Sequence, residues 1–193
     1  MRFRNLACAL FVSAVAATLF VGYSEAQAGA GSATQPKAQT AAKSSATAPL
    51  DWNLAQVMRG ILFPNSNVIF WTQSHNPADV KPAENPTSAT DPLYGTYGGW
   101  TAVENSAIAL SEAANLLTVP GRVCSNGRPV PINNPDWRKF VQGLRDAGKV
   151  TYKAAQSKDQ DKVVDAAEVV TNACGACHEK YRDKPGGVAN RCM

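Results

Sequence analysis

Three residues of this chain have the types and spacing to do chemistry together: Cys174, Cys177 and His178, in the run Cys174-Gly175-Ala176-Cys177-His178. C-x-x-C-H is the attachment signature of a c-type haem. On a helix, thiols at i and i+3 lie on one face, so both can form thioethers to the two vinyl groups of one porphyrin. A histidine directly after the second cysteine then brings its imidazole to the iron as proximal ligand. Without that histidine the pair would read as a thiol redox centre or as half of a zinc site. The expected cofactor is haem c with its iron, held covalently, one per chain.

The rest of the chain must deliver these residues to a compartment where haem is attached. It starts with the basic Met1-Arg2-Phe3-Arg4, runs apolar from Leu6 to Val21 and reaches Ala26-Gln27-Ala28. That order predicts a signal peptide over residues 1–28, with cleavage after Ala28. The apolar run is slightly short for a membrane span, which favours cleavage over retention as an anchor. Contact with a membrane is expected only if the segment is kept. Export would place the protein in the bacterial periplasm. Of the five cysteines, Cys8 leaves with the signal and Cys174 and Cys177 take haem, leaving Cys124 and Cys192. An even remainder in an oxidising compartment predicts a disulfide; the alternative is two unpaired thiols. Residues 29–49 are almost all small or polar and predict a disordered linker, because they cannot bury enough apolar area to offset their ordering entropy. Losing Arg2, Arg4 and Glu25 takes the formal charge from +4 to +3. There is no basic cluster and no basic stripe with aromatics, so nucleic acid is not an expected partner.

A domain over residues 50–193 has to position the motif. Asp51 is a fair N-cap for a first helix, with Leu54, Val57, Met58, Ile61 and Leu62 on one side. Pro64 should end or kink that helix near Phe63, with Val68 to Trp71 as its second half. Four prolines between Ser74 and Thr96 predict a long irregular loop. A second helix, from about Gly99 to Thr118, carries Trp100, Val103, Ala107, Leu110, Ala114 and Leu117 in alternating steps of three and four. Asn134-Pro135 opens a third, with Trp137, Phe140, Leu144, Ala147, Thr151 and Ala154 inward. The fourth starts near Asp159, turns Val163, Ala167, Val170, Cys174, Cys177 and Tyr181 inward, and should stop at Pro185-Gly186-Gly187. Lys158, Asp159, Asp161, Lys162 and Asp165 form its solvated face. The expected fold is all-α, a four-helix bundle with covalent haem on the last helix. Trp52, Trp71, Trp100 and Trp137 are expected in the core or the haem pocket.

With the motif on the last of four helices, the chain resembles the class II c-type cytochromes, the cytochrome c′ type. The resemblance is carried by Cys174-Gly175-Ala176-Cys177-His178-Glu179-Lys180-Tyr181-Arg182, where C-x-x-C-H-x-x-Y-R is similar to the family's haem-binding helix. It covers Asp51 to Arg182, strongly only at that helix. Class I cytochromes instead carry the motif near the N-terminus and a ligating methionine late in the chain, where this sequence has only Met193. The loops at 74–96 and 119–133 depart from compact members of the family.

The resemblance implies that the sixth coordination position decides function. Some members of the family bind the iron's distal face with a methionine of the first helix, where Met58 stands; others leave that face closed only by apolar groups. A thioether opposite histidine raises the reduction potential and suits outer-sphere electron transfer. The alternatives are Met58 as a core filler with an open distal face, or ligation by His75, whose bland reading is a solvated loop residue. Tyr181 should pack against the porphyrin or core, and Arg182 should either pair with a propionate or stand exposed. The leading expectation is therefore a periplasmic mono-haem electron-transfer protein, not an enzyme, with a redox partner protein and a possible homodimer. The alternative is a five-coordinate protein binding nitric oxide or carbon monoxide. A structural zinc module of Cys174 and Cys177 with His178 or with Cys124 and Cys192 is remote, because the second pair lacks C-x-x-C spacing. Thiol oxidoreduction is remote too, because it goes with a βαβ setting.

Overall fold

Pro64 should break a helix, yet the chain passes through it in helical form. In the computed structural model, which describes residues 50–193, helix α1 spans 54–71 in three pieces: Leu54–Val57, a π-helical turn Met58–Leu62, and Phe63–Trp71. The signal peptide at 1–28 and the linker at 29–49 lie outside the described residues. Proline has no N–H and its ring crowds the preceding turn. The wider turn absorbs this, closing with the Phe63 N–H on the Met58 carbonyl. The Asn65 side chain serves the Ile61 carbonyl at 2.7 Å, and the Ser66 hydroxyl donates to Phe63 at 2.9 Å. One consequence corrects the expected seam. The buried face runs Leu54, Val57, Leu62, Ser66, Ile69, with a step of five across the π turn, so Ile61 turns outward. The N-cap is Asn53 and not Asp51: Asn53 and Gln56 form a capping box, each side chain accepting from the other's backbone N–H at 3.0 and 2.9 Å.

The other three helices are α2 (Trp100–Ala113, extended by a 3-10 turn Ala114–Thr118), α3 (Pro135–Gln156) and α4 (Gln160–Tyr181). Among the described residues the fold is all-α, with four helices, no strand and one isolated bridge between Val123 and Pro129. None of these helices is long and apolar enough to cross a membrane. The chain packs α1 on α2, α2 on α3, α3 on α4 and α4 back on α1. The expected inward positions supply much of the core: Val103, Ala107, Leu110, Ala114 and Leu117 of the second segment, Trp137, Leu144, Ala147 and Thr151 of α3, and Val163, Ala167, Val170 and Tyr181 of α4 are all buried. Trp52 is a correction. It is 64% exposed, ahead of α1, while Trp71 and Trp100 are half-buried and only Trp137 is fully inside.

The α2–α3 contact depends on one glycine. A Cβ at Gly148 would lie 2.8 Å from both the Ala107 carbonyl and the Ser111 backbone nitrogen. Neither neighbour is a flexible side-chain tip, so the helices themselves would have to separate. Overpacking of this kind costs up to about 3 kcal/mol, against roughly 1 kcal/mol that alanine returns in helix propensity. Gly148→Ala should therefore lose about 2 kcal/mol net. A guanidinium unfolding midpoint equal to the parent's would show that the two helices are not held this close.

Two loops fasten the helix ends. The 119–133 loop holds the start of α1 through Leu54 N–H to the Val123 carbonyl at 2.8 Å and Arg122 Nη1 to the Trp52 carbonyl at 2.6 Å. At the other end of α1, Gln160 Nε2 donates to the Thr72 carbonyl at 2.8 Å, joining it to the start of α4. Asp159 caps α4 by accepting from the Lys162 N–H. The helix stops at Tyr181, before the expected Pro185-Gly186-Gly187, and the tail folds back so that the Cys192 N–H reaches the Tyr181 carbonyl at 2.8 Å.

Candidate cofactor site

The spacing of α4 carries Cys174 and Cys177 onto the same stripe as the buried Val170 and Tyr181. Both cysteines are half-buried and unpaired. They open on a cavity of about 560 Å³, within the roughly 300–1,000 Å³ range of cofactor sites. His178 lines the same cavity, and so does Met58 from α1. The π turn thus brings a thioether to the cavity that the motif reaches from α4, and π turns recur at functional sites. Apolar and aromatic side chains make up much of the remaining wall, among them Leu62, Phe63, Phe70, Trp137, Phe140 and Leu144.

Electrostatics bear on what the bare motif can do. Burial pushes the Cys174 thiol above its ordinary value, and the Cys177 thiol is pushed up to about 12, by burial first and then by the neighbouring Cys174 and Asp136. Both thiols stay protonated at neutral pH, so neither is a ready nucleophile for thiol–disulfide exchange. Burial, with the charges of Arg182 and Arg191, lowers the His178 pKa. That favours the neutral imidazole, the form that ligates metals. Neither of its ring nitrogens has a hydrogen-bond partner among the described residues.

The residues after the motif brace it. Tyr181 is buried, stands edge-on to Trp137 at 5.0 Å, and donates its hydroxyl proton to Asp136 Oδ1 at 2.7 Å. Lys180 forms an ion pair with the same carboxylate. Hydrogen bonds from Lys180 and Tyr181 hold the Asp136 pKa down at about 2. Trp137 Nε1 donates to the Leu117 carbonyl at 3.0 Å, which keeps the indole in the cavity wall. Arg182 lines the cavity too, but its guanidinium sits bidentate on Asp183 at 2.6 and 2.8 Å.

His75 is not at the cavity. It follows the far end of α1, exposed, its ring stacked on Trp71 at 4.5 Å, with Nδ1 near Ser74 Oγ and the Trp71 carbonyl. Thirteen residue steps from Met58 to Trp71 put Trp71, and the ring stacked on it, roughly 20 Å along the axis from Met58. Cys124 and Cys192 are joined as a disulfide with Cα atoms 6.6 Å apart, and this bond also borders the cavity. It removes the second cysteine pair from any zinc site, and among the described residues no three His, Cys, Asp or Glu side chains converge as a metal ion would need.

The residues present suit a haem: two thiols one turn apart, an adjacent neutral imidazole, a thioether from another helix and an apolar, aromatic lining. One residue of the site has no sequence motif to reveal it: Arg191, which reaches the cavity from the tail. No family model, curated protein or solved structure matches this chain.

Proposed function

We propose that this protein is an exported mono-haem cytochrome of the class II type, a four-helix bundle that transfers electrons in the periplasm. Cys174 and Cys177 would hold the haem covalently, His178 would be the proximal ligand and Met58 the sixth. The observation that carries the reading is the single cavity lined by both the C-x-x-C-H motif of α4 and Met58 of α1. When bound, haem supplies a one-electron couple at its iron.

The chain's own residues then have three tasks. Cys174 and Cys177 fix the position of the group, and the brace of Tyr181, Lys180 and Asp136 fixes the helix that bears them. His178 and Met58 would set the potential of a bound haem, a thioether ligand raising it. The apolar wall, with Trp137 and Phe140, would keep water from a bound haem, which would favour outer-sphere transfer to a partner protein over side chemistry. The rival is an open distal face that binds nitric oxide or carbon monoxide, and it requires Met58 to stay off the iron.

The visible spectrum of the ferrous protein, from a host able to attach haem, separates these with and without carbon monoxide. A low-spin spectrum indifferent to the gas is the expected result. A high-spin spectrum that shifts with it would make gas binding the better reading. A complete lack of haem bands would overturn both.

A further inference from the structure

Arg191 Nε is the one buried side-chain nitrogen or oxygen without a hydrogen-bond partner among the described residues. A buried guanidinium donor left unpaired costs the full desolvation of that group, so it calls for an acceptor. The rest of the side chain finds little: Nη1 reaches Ser125 Oγ only at 3.4 Å. Asp183, the carboxylate that follows the motif, is already committed to Arg182 at both of its oxygens. Yet Arg191 is not a loose surface residue. The Asn126 side-chain amide lies within 3.0–3.1 Å of the carbonyls of Val188, Ala189 and Arg191. The next residue, Cys192, is tied to Cys124 by the disulfide and to Tyr181 through its N–H. Arg191, Ser125 and both sulfurs' residues line the cavity. The tail is thus stapled so that Arg191, its Nε buried and unpaired, lines the same cavity as His178.

We propose that Arg191 is an anchor for a haem propionate, delivered to the cavity by the Cys124–Cys192 staple. The assignment rests on the haem-binding reading above. A guanidinium matches a carboxylate with parallel N–H donors, and such charge-assisted bonds are about twice as strong as neutral ones. Arg182 is not equivalent, because its fork is occupied. Arg59 lines the cavity from α1 but is exposed.

The test is the midpoint potential of the haem-loaded protein at one fixed pH. Loss of a positive charge beside the iron favours the more positive ferric state, so Arg191→Gln should lower the potential. The expected size is about a tenfold change in the redox equilibrium, about 59 mV for a one-electron couple. Arg191→Lys keeps the charge and should recover most of the shift. C124S/C192S, which frees the tail, should reproduce the Gln result. Haem-bearing Arg191→Gln protein with the parent's potential would overturn the anchor while leaving the cytochrome reading intact. A parent chain without covalent haem would overturn both. A parent-like potential in C124S/C192S, with Arg191→Gln shifted, would overturn delivery by the staple.

Discussion

Met58→Ala should turn a low-spin ferrous spectrum that ignores carbon monoxide into a high-spin one that shifts with the gas. Met58 lines the same cavity as His178, and among the described residues no other methionine does. His75 cannot substitute, since it lies stacked on Trp71 beyond the far end of α1. The remaining wall is mostly aliphatic and aromatic, and its few hydroxyl and amide groups are weak partners for iron. Removing the thioether should also lower the reduction potential, because an axial methionine raises it. Truncation costs stability as well, about 2 kcal/mol, at the low end for methionine because the side chain is only half-buried. The spectral change is separable from that loss by Met58→His, which puts a nitrogen donor in place of the sulfur at the same position. That variant should remain six-coordinate with a potential below the parent's. A low-spin spectrum in Met58→Ala protein, unchanged from the parent, would exclude Met58 as the ligand.

Much of this site could be read from residue types and periodicity, and the parts that could not have physical reasons. Alternating steps of three and four place Val103 to Leu110, Trp137 to Thr151 and Val163 to Tyr181 inward because α2, α3 and α4 keep 3.6 residues per turn. The first helix defeats that rule. A π turn advances by one extra residue, so the core step from Val57 to Leu62 hides Ile61's exposure from any search at helical period. Pro64 is the only local hint, and it reads equally as a break. Asp51 and Asn53 are both good caps by residue type, and the capping box with Gln56 decides for Asn53. Trp52 illustrates a different limit: a large aromatic before a helix has no period to assign it a side. Arg191 belongs to no motif at all. Its place depends on a contact 68 residues apart in sequence, from Cys124 to Cys192, and on Asn126 gripping the tail carbonyls.

That long-range link should be the largest single contribution to stability outside the core. Replacing both partners, as C124S/C192S, opens a loop of 68 residues that holds α3, α4 and the motif. Chain entropy alone puts the loss at about 4 kcal/mol, since the disulfide restricts the unfolded chain and the restriction grows with loop length. For a domain of this size each kcal/mol moves the melting temperature by roughly 2–4 °C, so the midpoint should fall by about 8–16 °C. The folded state loses more than the covalent bond. Cys124 is buried, and its N–H donates to the Arg128 carbonyl at 2.8 Å, so serine there places a hydroxyl in an apolar site. Guanidinium unfolding of the parent and of C124S/C192S, without reductant, measures the difference. A stability within about 1 kcal/mol of the parent's, or two titratable thiols at Cys124 and Cys192 in the oxidised parent, would show that the bond does not hold the protein together.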